Sequence, residues 1–224
     1  MTSTKRFLVV LAAFLVLAFA AAQADTITLV TAPIGGNIVD WSTTGLPVGT
    51  QAHGFLGFAQ SGDTAAASVA GAVANKGRLL QQSNTFCTPW CGNFNVGEYL
   101  IWTQNHGPLT VAFGNSYNFI GAYFEQNLFG PFTAKMDVYN GSTLLGSVTA
   151  SGVSAFAPGT ALFIGALDQD GANITKVVFS ETAGSGLADF AIATMYLGVP
   201  EPSTMVLLGT GLLGLAGFSR RFLR

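Results

Sequence analysis

The sequence predicts an all-β protein, an antiparallel β-sandwich or jelly roll, and three observations predict it. Short apolar runs recur between residues 25 and 198, separated by Gly, Pro, Asn and Asp. Many of them alternate apolar with polar side chains, the two-residue period of a strand with one buried face. No stretch of that region sustains the 3.6-residue period of a long amphipathic helix. Charge is sparse, at 9% of residues, while glycine reaches 28 of 224, which suits extended chain and tight turns.

The first segment is of another kind. Lys5 and Arg6 precede Phe7 to Ala20, fourteen residues without a polar side chain, and Ala22-Gln23-Ala24 follows before Asp25. A basic start, an apolar centre and small residues at the −3 and −1 positions make residues 1–24 a secretory signal peptide for the Sec machinery, cut between Ala24 and Asp25. An uncleaved anchor helix is the alternative. Either way residues 25–198 are outside the cytoplasm, and their 174 residues suffice for one domain with a real core.

Within that domain, Asp25 to Thr31 sets Ile27 and Leu29 between threonines and reads as a first strand. Gly35-Gly36 ends it, and Asn37 to Trp41 gives a second short run before a loop over Thr43 to Thr50. Phe55, Phe58 and the alanine-rich stretch Ala65 to Ala74 are ambiguous between helix and strand, and we read strand. Seven clearer strands follow: Leu109 to Phe113, Tyr117 to Phe124, Ala134 to Tyr139, Thr143 to Thr149, Ala161 to Leu167, Asn173 to Ser180 and Leu187 to Leu197. Asn140-Gly141 is a hairpin signal, because both residues accept φ > 0. Regular short strands with such turns indicate a sandwich. The eighteen phenylalanines, many at alternate positions, are most simply core.

Charge excludes one class of partner. Residues 25–198 carry four bases (Lys76, Arg78, Lys135, Lys176) against ten acids, a formal net charge of −6. That argues against nucleic acid or an anionic membrane surface.

The C-terminal segment, residues 199–224, is again distinct. In Val199-Pro200-Glu201-Pro202-Ser203 the two prolines fix φ and keep the chain extended around Glu201. Ser203 can then cap a helix. From Ser203 to Ser219 there are 17 uncharged residues, about 26 Å of helix. This is the short limit for crossing a bilayer core, so a single transmembrane helix here needs anchors at its ends. Arg220, Arg221 and Arg224 are such anchors, and their charge keeps them on the cytoplasmic side while Pro-Glu-Pro faces outward. Thr210 and Gly214 have the small-xxx-small spacing that lets another helix approach.

Together, Val199, Pro200, Glu201 and Pro202, the glycine- and leucine-rich span and the closing arginines resemble the PEP-CTERM sorting tail of exported bacterial proteins. The resemblance covers about the last 26 residues. It implies recognition by exosortase, a membrane-embedded cysteine protease of transpeptidase type, and release or transfer of the protein to the cell surface. Bacteria with this system make exopolysaccharide and biofilm. The domain itself resembles a recurrent cargo of such proteins through Asp40-Trp41, Gly97 to Trp102, Gly107-Pro108-Leu109-Thr110, Phe129-Gly130-Pro131-Phe132, Leu144 to Ser147, Phe163-Ile164-Gly165 and Asp189 to Ile192. The last strand of such cargo often reads Phe-x-Ile-Asp, whereas Ala193 stands at that aspartate here.

Candidate chemistry is thin. Cys87 and Cys91 are the only cysteines, and three residues between them depart from the thioredoxin spacing. In an oxidising exterior they are expected to form a structural disulfide, with free thiols or zinc as alternatives. Zinc lacks ligands, since His53 and His106 are not spaced with the cysteines in any usual pattern. Asp168, Asp170 and Asn173 crowd oxygen side chains as a calcium loop does, but Ala172 and Phe179 stand where an EF-hand needs ligands. Asp170-Gly171 reads more economically as a hairpin turn. No cofactor is expected, and no metal unless Asp137 or Asp189 folds in beside this loop to complete a calcium site. Glu98, Glu125 and Glu181 could form a glycosidase pair, although each reads as a solvated surface residue. Trp90 and Trp102 flank the cysteine loop and could form a platform for a sugar ring. The reading that follows is a non-enzymatic, exported surface or matrix protein contacting exopolysaccharide. The alternatives are a carbohydrate-active enzyme on the same fold and an uncleaved single-pass membrane protein.

Overall fold

The computed structural model describes residues 25–70, 77–85, 87–88, 90–184 and 188–198. The expected signal peptide, and the sorting tail with the transmembrane helix expected in it, lie outside the described residues. Among the described residues no helix is long and apolar enough to cross a membrane.

The described chain is built of strands. The first six are β1 Ile27–Val30, β2 Asn37–Val39, β3 Gln51–Ala52, β4 Gly54–Phe58, β5 Thr64–Val69 and β6 Gly77–Gln81. There follow β7 Tyr99–Trp102, β8 Leu109–Tyr117, β9 Phe119–Gln126 and β10 Gly130–Asn140. The last four are β11 Thr143–Ser154, β12 Leu162–Asp168, β13 Ile174–Ala183 and β14 Phe190–Gly198. They form two antiparallel sheets. One has the order β1-β12-β9-β14-β7-β6-β3, with β2 also paired to β14; the other has the order β11-β10-β13-β8-β5-β4.

The core follows from the two-residue period. Ile120, Ala122 and Phe124 of β9 face Val177 and Phe179 of β13 and Met136 and Val138 of β10, all buried in one cluster between the sheets. Strand β14 is central, with β9 on one side and both β2 and β7 on the other. Its outward residues are also covered, because Ala191 and Ala193 belong to a second buried cluster with Leu80, Trp90, Phe94 and Leu100. That second layer is why Phe190–Gly198 reads as an apolar run that Thr194 interrupts.

Several expected strands hold with longer ends, and the Asn140-Gly141 signal is a hairpin joining β10 to β11, with Gly141 at φ 57 and Asn140 opposite Thr143. Three readings need correction. The second run stops at Val39, because the Asp40 side chain accepts from Ser42 N at 2.9 Å and caps a 3-10 turn over Trp41–Thr44. Asp170-Gly171 is not a hairpin turn, since β12 and β13 lie in different sheets and the segment between them crosses from one to the other. The phenylalanines are not all core, for Phe58, Phe129 and Phe156 are 41, 41 and 50% exposed.

Candidate functional site

The outer face of the larger sheet carries the disulfide loop. Cys87 and Cys91 are bonded, as expected. The loop closed by the bond carries Trp90, and the chain just after it carries Phe94, onto Leu80, Leu100 and Ala191. Trp90 is 4% exposed and meets Trp102 edge-on at 5.8 Å. The pair is thus packed cover, and the expected sugar platform is corrected to that extent: Trp90 offers no open ring face.

Asp189, which the sequence places in the last strand without a structural role, ties this face together. It is buried and accepts from Trp102 Nε1 at 2.5 Å, Asn105 N at 3.3 Å and Asn127 Nδ2 at 2.9 Å. Asn127 in turn accepts from Cys91 N at 3.2 Å, so the disulfide loop is pinned to the sheet through one carboxylate. The signal in the sequence was an acid flanked by small and aromatic residues at the start of the most apolar strand. Replacing Cys91 with serine is expected to lower stability by about 2 kcal/mol. The same change should make Trp90 accessible to acrylamide quenching. An unchanged urea midpoint and unchanged quenching would show that the bond does not hold the cover.

At the opposite edge, Asp25, Asp168 and Asp170 come together, each offering a carboxylate oxygen within 4.8 Å of the others. Thr26 N donates to Asp170 Oδ2 at 2.6 Å, Asp170 N to Asp168 Oδ1 at 2.9 Å and Asn173 Nδ2 to Asp168 Oδ2 at 2.9 Å. Sequence spacing gave three of these residues. Asp25 was named there only for signal cleavage, and it arrives because β1 pairs with β12, Ile27 opposite Asp168. Desolvation and the two neighbouring aspartates raise the Asp25 carboxyl above its ordinary value. Hard oxygen donors suit Ca²⁺, but internal hydrogen bonds already occupy both Asp168 oxygens.

The glutamates overturn the expectation of solvated surface groups. Glu98 is half-buried and accepts from Asn95 N at 3.3 Å. Glu125 is 1% exposed and Glu181 9% exposed, and none of their carboxylate oxygens has a hydrogen-bond partner among the described residues. Burial pushes the Glu125 carboxyl up to about 8, the nearby Ser154 hydroxyl opposing and the Glu181 charge adding to the rise. Burial, then Asp189, pushes Glu181 up to about 7. By contrast Asp63 is held below the usual carboxylate range, chiefly by the Tyr117 hydroxyl at 2.8 Å and then by Ser61.

The two buried glutamates issue from different strands and from opposite sides of their sheets, although their charges still act on each other. Glu125 stands opposite Ala191, which stands opposite Trp102, so its side chain belongs to the covered outer face. Gln126, one residue on, stands opposite the core residue Phe190 and points to the other face. Glu181 lies two residues beyond the core residue Phe179 and shares that inner side. Beside it opens a groove of about 660 Å³, lined by Phe129, Pro131, Thr133, Ser151, Val153 and Gly184 among others.

Comparison with known proteins adds the following. No curated protein matches the chain in sequence. A solved DUF4465 family protein from Bacteroides caccae is similar at a TM-score of 0.41 and 11% identity, over 80% of this chain and 96% of that one, a likeness too distant to carry an argument. Residues 198–221 match the model of the PEP-CTERM protein-sorting motif, covering Pro200, Glu201, Pro202, the apolar span and Arg220-Arg221. The chain therefore carries a PEP-CTERM protein-sorting motif over residues 198–221, which implies recognition by exosortase.

Proposed function

We propose that this is a non-enzymatic β-sandwich protein of the bacterial cell surface or extracellular matrix, delivered by the Sec machinery, cut by exosortase in its tail and contacting exopolysaccharide. The observation that carries the reading is the sorting motif at residues 198–221. The Cys87–Cys91 bond supports it, since such bonds persist outside the reducing cytoplasm. For the polysaccharide contact, the groove beside Thr133, Ser151 and Val153 is a better seat than the tryptophans. It is open to solvent, Val153 is 65% exposed, and the Thr133 and Ser151 hydroxyls lie 3.1 Å apart on its floor.

Intact mass of protein from membrane and extracellular fractions tests the sorting. The mature species is expected to lack residues 1–24 and the segment after Pro-Glu-Pro. Replacing Pro200, Glu201 and Pro202 together with alanine is expected to leave a longer species held in the membrane. If the native chain runs through to Arg224 and the alanine variant has the same mass, exosortase cleavage is wrong and the uncleaved single-pass protein stands.

A further inference from the structure

One group of oxygens faces inward with no hydrogen-bond partner among the described residues. Gln126 is 0% exposed, and its Nε2 donates to Gly130 O at 3.0 Å, which turns Oε1 the other way. Oε1 has no partner among the described residues, nor has either oxygen of Glu181. Both side chains aim at one place. An alanine Cβ at position 184 would lie 1.8 Å from Glu181 Oε1 and 2.5 Å from Gln126 Oε1, so these two acceptors are no more than 4.3 Å apart.

Two acceptors so placed repel each other unless something positive stands between them, and burial removes the water that would screen them. A cation that takes oxygen ligands at 2.3–2.6 Å can touch both atoms across such a gap, as Ca²⁺ does. Mg²⁺ demands a stricter octahedron and gives up its waters reluctantly, which two protein oxygens do not suit. An entry path exists, since Gly184 also lines the open groove. We propose that Glu181 and Gln126 hold a calcium ion at the head of this groove. The ion clamps the two sheets together, because Gln126 ends β9 in one and Glu181 lies near the end of β13 in the other. With one carboxylate, one amide oxygen and water completing the shell, affinity falls in the weak extracellular range, about 10⁻⁴–10⁻³ M. The site is independent of the sorting motif and stands or falls without it.

The test uses the full chain, purified in detergent, stripped with chelator and titrated with CaCl₂ at pH 7.5. Calorimetry is expected to show binding at this site, and a hundredfold excess over Kd should raise Tm by about 5–10 °C. Glu181→Gln and Gln126→Met each keep the side-chain volume, and each is expected to abolish the shift, while Asp170→Asn leaves it in place. Binding that survives Glu181→Gln and disappears with Asp170→Asn assigns the ion to the Asp25 cluster and overturns the proposal. So does a Glu181 carboxyl carbon that shows by NMR the same protonated form with and without 10 mM CaCl₂, for then a proton bridges to Gln126. The NMR readout uses the native chain and does not depend on how either variant folds.

Discussion

Chelator-treated protein with Glu125 replaced by glutamine is expected to be more stable than the native chain at pH 8, and hardly different from it at pH 5. Glu125 is buried near the end of β9, where the Ser154 hydroxyl only partly offsets the loss of water. Its carboxyl is pushed up to about 8, while the unfolded chain ionises near 4.5. A folded-state value above the unfolded one means the folded chain binds the extra proton between them. The associated stability is fully present below about 4.5 and is lost as pH rises through about 8. The loss is on the order of 5 kcal/mol. Glu181, pushed up to about 7, adds a second loss in the same direction when no cation is bound. Asp63, held low, titrates below this window and leaves it undisturbed. Glutamine at 125 has no proton to release, so its stability profile between pH 5 and 8 should be markedly flatter. Urea midpoints at pH 5, 6, 7 and 8 measure this. Parallel profiles for the two proteins would mean that water reaches Glu125 and that the carboxyl is not buried as described.

Legibility in the sequence divided along physical lines. Where one face is wet and the other buried, alternation marked the strand, as in β10, whose odd and even residues differ in burial from Phe132 to Tyr139. Strands covered on both faces lose that signal, yet β14 was legible as a long apolar run. The strands β3, β6 and β7 were not, because two to five residues carry too little pattern and their pairing is fixed by partners distant in sequence. Long-range pairing also hid Asp25 from the Asp168 cluster, since 143 positions of chain separate them until β1 docks on β12. Local chemistry served the disulfide well: two cysteines four positions apart needed only an oxidising compartment. Composition misled on the glutamates. A lone acid in a strand is usually solvated, and only the added layer over β9 and β14 makes Glu125 an exception.

Replacing Trp41 with alanine is expected to be the most damaging single change in the domain, lowering stability by about 3–5 kcal/mol. Trp41 is 0% exposed and opens the 3-10 turn that Asp40 caps. From there its ring reaches the smaller sheet, where a Cβ at Gly57 would stand 3.1 Å from Cε3 and Cζ3. Its Nε1 donates to Ala193 O at 2.9 Å in β14 of the larger sheet. One side chain therefore fills the space between the sheets and answers a backbone carbonyl that the β14 bulge between Ile192 and Met195 leaves free of its ladder. Phenylalanine at 41 separates the two contributions, keeping most of the volume while leaving that carbonyl unpaired, which costs about 1–3 kcal/mol. Alanine at 57 should cost less than either, because the indole can give by a few tenths of an ångström. Urea unfolding of the three variants is expected to order them Trp41→Ala, then Trp41→Phe, then Gly57→Ala, from least to most stable. If Trp41→Phe proves as unstable as Trp41→Ala, the hydrogen bond to Ala193 rather than the packing holds the two sheets at this end.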